Sequence, residues 1–125
     1  MTGIPTSPTI RWLRDRHPRL EVICGPMGSG KSGELIRRVT VAQLGKLTVR
    51  VFRPALDTRG PAGTIASRNG LTTAAIGVAS PAEMLGHVDE TVDLVAIDEA
   101  SLFDETLDDA VRALLRRGHW VIVAG

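Results

Sequence analysis

Apolar positions along this chain follow two alternating rhythms, and the switches between them mark its elements. Leu20-Glu21-Val22-Ile23-Cys24 is a short β-prone run. From Glu34 to Val39 the spacing turns helical, with Leu35, Ile36 and Val39 on one face. That helix is expected to reach about Leu44, where Gly45 is a natural C-cap. Thr48-Val49-Arg50-Val51-Phe52 alternates and is β-branched, which predicts a second strand ended by Pro54. Residues 54–73 hold Pro54, Asp57, Gly60, Pro61, Gly63 and Asn69-Gly70 and read as a long loop, with a short strand near Ile65. Loops of that length inside a compact domain are usually functional or mobile.

Ala75-Ile76-Gly77-Val78 reads as a weak strand. Ser80-Pro81-Ala82-Glu83 combines a capping box with proline at the first helical position, and opens a short helix ending near Val88. Val92-Asp93-Leu94-Val95-Ala96-Ile97 is nearly continuous in apolar residues, as a strand buried on both faces must be. Asp104 is placed to cap the next helix, whose stripe is Leu107, Ala110, Val111, Leu114 and Leu115, and Gly118 ends it. Trp120-Val121-Ile122-Val123-Ala124 is the last strand. Strands and helices alternate throughout, so the fold class is α/β with a mostly parallel sheet flanked by helices. Residues 1–18 read as an N-terminal extension punctuated by Pro5, Pro8 and Pro18, in which only Trp12 and Leu13 could dock. Residues 19–125 form the expected domain.

The junction of the first strand and first helix changes the picture from architecture to chemistry. Gly25-Pro26-Met27-Gly28-Ser29-Gly30-Lys31-Ser32 matches G-x-x-x-x-G-K-[ST], the phosphate-binding P-loop. Gly25 and Gly30 let the backbone turn so that its N–H groups aim at a phosphate chain. Lys31 supplies a point charge for the β- and γ-phosphates, and Ser32 a hydroxyl for Mg²⁺. The helix start adds the positive end of its dipole. A chance match in a chain of this length has a probability of about one in two hundred. The competing reading is an ordinary Gly-rich turn, but strand, loop and helix is the setting the motif requires.

A second candidate follows the most apolar strand. Asp98 at its carboxyl end is a Walker-B candidate that would hold Mg²⁺ directly or through water. Glu99 is placed to take a proton from an acceptor hydroxyl or to orient a water, with a solvated strand end as the alternative. Asp57 and Arg59 could support metal-bound waters and phosphoryl charge, although loops often carry such residues, and Arg68 has the same standing. His87 and His119 fall near helix ends, where solvation is the expected state.

Composition removes some function classes. The chain has 125 residues and a net charge of +1, so no large electrostatic footprint suggests a nucleic-acid partner. Trp12, Phe52, Phe103 and Trp120 are its only aromatics, too few to stack single-stranded bases. Cys24 is the sole cysteine, which excludes an internal disulfide and a cysteine zinc site, and is expected to be a small buried hydrophobe. No apolar run approaches the ~20 residues of a membrane span, and no apolar signal core opens the chain. A cytoplasmic protein is the resulting expectation.

Taken together, these motifs resemble the type II thymidine kinases, P-loop deoxynucleoside kinases with a RecA-like core. The run Glu21 to Leu35 resembles that family's opening strand, loop and helix. Val51-Phe52-Arg53-Pro54-Ala55-Leu56-Asp57-Thr58-Arg59 resembles the strand leading to its acidic loop, and Ser67-Arg68-Asn69-Gly70-Leu71 its Ser-Arg-x-Gly segment. Ile97-Asp98-Glu99-Ala100-Ser101-Leu102-Phe103 resembles its Asp-Glu-x-Gln-Phe-Phe block, and Val121 to Gly125 the strand after it. The resemblance implies transfer of phosphate from ATP to thymidine, in deoxynucleotide salvage for DNA synthesis. It implies that Gly25 to Ser32 bind ATP, with Asp98, Glu99, Ala100 and Ser101 also against the nucleotide. Ser32, Asp98 and Asp57 would serve Mg²⁺, Glu99 would be the general base, and Arg59 would stabilise transferring charge. A homotetramer is the implied assembly.

The chain departs from that pattern in places. Ser101 stands where the family usually has Gln, Gly28 where a bulkier residue is frequent, Gly33 where a better helix former is usual, and Gly60 where an aromatic is common. The family's four-cysteine zinc module and its lasso-like loop over thymidine have no counterpart in these residues. The sequence therefore reads either as part of a longer kinase or as a short relative. Alternative readings are an ATP·Mg-binding module, a slow ATPase, or an oligomeric scaffold.

Overall fold

The computed structural model describes residues 19–25, 30–55, 63–66 and 70–125. The extension expected over residues 1–18 lies outside them. Five strands form one sheet: β1 (Arg19–Ile23), β2 (Val49–Pro54), β5 (Ile76–Val78), β6 (Leu94–Ile97) and β7 (Trp120–Ala124). Their order is β1-β7-β6-β2-β5, and every pairing is parallel. Parallel neighbours need long crossovers, and buried parallel strands need helices over both faces. The helices are α1 (Lys31–Leu44), α2 (Pro81–Leu85) and α3 (Thr106–Arg116).

Alternation along each strand divides the core in two. One face sends Ile23, Val51, Leu94, Ala96, Trp120 and Ile122 against Leu35, Ile36 and Val39 of α1. The other sends Phe52, Val78, Val95, Ile97 and Val121 against Met84 of α2 and Val111 and Leu114 of α3. The expected apolar stripe of α3 is thus the one that docks, with Leu107 and Leu115 partly buried at its margin. Among the described residues, no helix is long and apolar enough to cross a membrane.

The short helix α2 starts as its sequence predicts. Ser80 Oγ accepts the Glu83 N–H at 3.3 Å, and Glu83 Oε1 accepts the Ala79 N–H at 2.9 Å. At α3 the cap position falls to Glu105, with no side-chain cap bond, one residue past the Asp104 expected there; Asp104 instead accepts the Thr106 N–H at 2.9 Å in the turn before the helix.

Pro54 ends β2, as expected: it is the strand's last residue, and Ala55 N–H makes one further bond to Val78 O at 2.8 Å. The reading of the next stretch needs correcting. The stretch read as loop contains a second, antiparallel sheet of β3 (Thr64–Ala66) and β4 (Thr72–Ala74). Only the part near Ile65 was expected, because Ile65 is the one position there with a side chain that buries fully.

Helices α1 and α3 end in the same hydrogen-bonded arrangement. In α3, Gly118 N–H donates to Leu115 O at 3.0 Å and His119 N–H to Leu114 O at 3.1 Å. In α1, Lys46 N–H donates to Gln43 O at 2.9 Å and Leu47 N–H to Ala42 O at 3.1 Å. This is the Schellman pattern, which needs a left-handed residue just past the helix. Gly118 fills that role at φ 92°, whereas Gly45 is right-handed at −81° and Lys46 takes the left-handed position at 64°.

His119 is buried, contrary to expectation. Its Nδ1 lies 2.7 Å from Val92 O. A carbonyl can only accept, so Nδ1 carries the hydrogen. The tight turn into β7 draws the ring beneath the sheet's amino end, where an internal acceptor replaces water. His87 remains exposed, its ring 6.1 Å from that of Phe52.

Candidate functional site

The carboxyl ends of the parallel strands open on one side of the sheet, where α/β folds of this kind bind ligands. β1 ends at Ile23 and leads through Cys24 and Gly25 toward α1. Pro26, Met27, Gly28 and Ser29 lie outside the described residues. Gly30 immediately precedes α1 with φ 84° and ψ 24°, a left-handed conformation in which any side chain is strained. Its carbonyl accepts the Glu34 N–H at 3.0 Å, starting the helix. Lys31 and Ser32 therefore occupy the first turn of α1, beside the helix's unpaired N–H groups.

Ser32 makes the contact that joins the two candidate motifs. Its Oγ donates to the Asp98 carboxylate, 3.0 Å from Oδ1 and 3.2 Å from Oδ2. Asp98 is 5% exposed, and its N–H donates to Phe52 O at 2.9 Å, which fixes the end of β6 to β2. The two residues are 66 positions apart in sequence, and only the fold brings them together.

Beyond Asp98 the strand geometry breaks. Glu99 is left-handed, at φ 53° and ψ 42°, and a single 3₁₀ turn follows over Ala100–Leu102. Leu102 N–H closes that turn on Glu99 O at 3.0 Å. Continued β geometry would send Asp98 and Glu99 to opposite faces. The left-handed residue interrupts that alternation, and non-glycine residues held this way cluster at functional sites. Ala100 packs into the core, while Ser101 and Leu102 are exposed.

Lys31, Ser32, Asp98, Glu99, Ala100 and Ser101 thus all lie at the sheet's carboxyl edge. Asp57, Arg59 and Arg68 fall outside the described residues. A cleft of about 520 Å³ opens beside the loop, lined in part by Gly25, Gly30, Lys31, Glu34 and Arg38. Cys24 also lines it and is exposed, which corrects the expectation of a buried thiol. The cause is the place of β1 at the sheet edge, which also leaves Leu20 and Val22 about half exposed at 46% and 57%.

An ion network holds α1 to β1 under this cleft. Glu34 accepts from Arg37 Nε at 2.9 Å and from Arg38 Nε at 2.7 Å. Arg38 NH1 continues to Glu21 at 2.7 Å. The hydrogen bonds from Arg37, then from Arg38, hold the Glu34 carboxyl down from 4.5 to about 2. A depressed carboxyl stabilises the fold above its unfolded pKa and loses that contribution as the pH falls through the folded value. The window here is therefore pH 4.5 down to about 2. Glu34 is nearly a third exposed, so screening limits the effect to about 1 kcal/mol. Glu34→Gln should cost that much at neutral pH and nothing near pH 2, as read from urea midpoints against pH. A penalty that stays constant across the window would show that the network lends no charge-dependent stability.

One buried charge was missed in the sequence. Arg53, 6% exposed, donates to the Thr64 carbonyl from the end of β2. A cation in an otherwise apolar strand end, just before a proline, was the available signal.

The arrangement couples a glycine-rich loop and helix start, with their lysine and hydroxyl, to a buried carboxylate on a neighbouring strand. A profile of the thymidine kinase family matches residues 18–125, nearly the whole of this sheet and its helices. The α/β architecture and that match lead to one conclusion: the chain belongs to the thymidine kinase family.

Proposed function

We propose that the chain is an ATP-dependent thymidine kinase, converting ATP and thymidine to ADP and dTMP. The observation that carries this reading is the Ser32–Asp98 hydrogen bond, which joins the P-loop helix to the acid after β6. A hydroxyl and a carboxylate are hard oxygen donors, and Mg²⁺ is commonly held by one or two such groups plus phosphates and waters. Ser32 and Asp98 fit it, with Asp57 as the additional acid. When bound, Mg²⁺ neutralises charge on the β- and γ-phosphates.

The residues divide the work as follows. Gly25, Met27, Gly28, Ser29 and Gly30 offer backbone N–H groups to the phosphate chain, Pro26, which has none, fixes the loop's backbone between them, and Lys31 adds its ammonium. Glu99 takes the proton of the 5′-hydroxyl as the oxygen–phosphorus bond forms and the bond to ADP breaks. Arg59 stabilises charge on the transferring group. Ala100 and Ser101 border the nucleotide. Catalysis of this kind rests on positioning and charge stabilisation. The partner is thus a nucleoside rather than a nucleic acid or a membrane. We place the protein in the cytoplasm, acting as a homo-oligomer, a tetramer by the family resemblance.

Two measurements test the reading. Lys31→Ala should weaken ATP·Mg²⁺ binding by about 1.5–3 kcal/mol, the value of a charge-assisted hydrogen bond, in a calorimetric titration. Equal affinities would sink the phosphate-loop assignment. Incubation with ATP and labelled thymidine should yield labelled dTMP. ATP binding without any dTMP would replace the kinase with a nucleotide-binding module.

A further inference from the structure

We infer that Arg53 is a positioning residue of this site, a buried latch that holds the β3–β4 hairpin in place beside Asp98. The inference rests on the kinase reading for its catalytic consequence, and on the structure alone for the latch.

The register of the sheet locates the guanidinium's base. β2 pairs with β6 as Val51↔Ala96 and Phe52↔Ile97, so the next position sets Arg53 alongside Asp98. Parallel partners send their side chains to the same face. Val51 and Ala96 both belong to the core under α1, so Arg53 and Asp98 share that face with Ser32 at the start of the helix. On its other side Arg53 is paired with Gly77.

A guanidinium with 6% exposure stays in place only if buried acceptors satisfy it. One acceptor is the Thr64 carbonyl, at the first residue of β3 and 11 positions along the chain. That bond joins the end of a sheet strand to the start of the hairpin. It also ties together the two ends of the stretch that carries Asp57 and Arg59. On the far side, Ala75 N–H returns to Gly63 O at 2.8 Å, so the hairpin closes on the same point. Ile65 is 3% exposed and supplies the hairpin's one apolar anchor in the core. A three-residue ladder with one such anchor cannot hold its own position. Arg53 provides a directional contact that a sliding apolar side chain does not.

The test compares Arg53→Met, which keeps bulk but no donor, with Arg53→Lys, which keeps charge and a single donor group. Hydrogen exchange on the full chain reads the latch. In Arg53→Met, amides of β4 and of Ala75 should exchange roughly 10–100-fold faster, the equivalent of one charge-assisted hydrogen bond. Amides of β6 and β7 should keep their protection, and Arg53→Lys should restore most of the hairpin's. Thymidine transfer reads the consequence: kcat should fall with the hairpin's loosening, while the KM for ATP stays within about threefold, because Lys31, Ser32 and Asp98 are on other elements. Faster exchange everywhere would make Arg53 a general stabiliser, and unchanged hairpin exchange would remove the latch. A loosened hairpin with normal kcat would overturn the positioning role. Should the wild-type chain transfer no phosphate to thymidine, the kinase reading fails and the exchange data still decide the latch. If Arg53→Met does not fold, Arg53→Gln, which keeps a neutral donor and loses the charge, takes its place: hairpin amides should again exchange faster than those of β6 and β7, and hairpin exchange identical to wild type would refute the latch.

Discussion

Glu99→Gln is expected to lower kcat for thymidine phosphorylation by roughly 10²–10⁴, the usual contribution of a general base. ATP affinity should hardly change, since the phosphates are assigned to the loop, Lys31 and Ser32. Glutamine matches glutamate in shape and tolerates the left-handed backbone no worse, so stability should shift by less than about 0.5 kcal/mol. What it loses is the ability to accept a proton. Single-turnover assays and a thermal melt on the same preparation separate these quantities. A variant with wild-type kcat would make Glu99 a solvated residue at a strand end, and the left-handed backbone there would then need another cause.

Phe52→Ala should produce the opposite signature. Phe52 is fully buried in the middle of the sheet, next to Ile97 on one side and Ile76 on the other. Truncating such a ring costs about 3–5 kcal/mol in lost transfer energy and residual cavity. For a domain of this size, Tm should drop on the order of 10–20 °C. The backbone bond from Asp98 N–H to Phe52 O does not depend on the side chain, so the folded fraction should bind ATP as before. Calorimetry at several temperatures tests both statements. A loss under about 1 kcal/mol would mean that α2 and α3 collapse into the space, and that this half of the core is far more plastic than its burial implies.

The strands and long helices could be read from the sequence because one physical rule governs them. A strand covered on both faces must be apolar throughout, as Leu94 to Ile97 is, and a helix covered on one face must repeat its apolar positions, as Leu107 to Leu115 does. The glycine-rich run and Asp98 were singled out by residue type at strand ends, and the structure adds that Ser32 and Asp98 meet there. Elsewhere the deciding partner lay far away in the chain. Cys24 and Val22 look like core residues until β1 is found at the edge of the sheet. His119 looks solvated until the turn after α3 puts it against Val92. The hairpin has three-residue strands with one buried side chain, too short for any periodicity to register. Lys46 shows a further limit: a glycine next to a helix end need not be the residue that adopts the left-handed turn. The hydrogen bond between Ser32 and Asp98 had no local signal, although each residue was singled out by its motif.

The strand that leads into the P-loop pairs only with β7, among the described residues, and its register partner for Ile23 is Ala124. On the ribosome that partner emerges roughly 100 residues later. At about 5–20 residues per second, β1 waits for something like 5–20 seconds with its pairing edge unfilled. The remaining sheet can begin to assemble meanwhile, because β2, β5 and β6 are made in the interval. The glycine-rich loop, translated before β2, β5 and β6, is thus among the last parts of the sheet to acquire its supporting neighbour. Through that delay Leu20 and Val22 sit on an unpaired β-prone segment, so the newborn chain should depend most on chaperones before β7 is made, and slowing translation between β1 and β7 should raise its aggregation more than slowing it after β7.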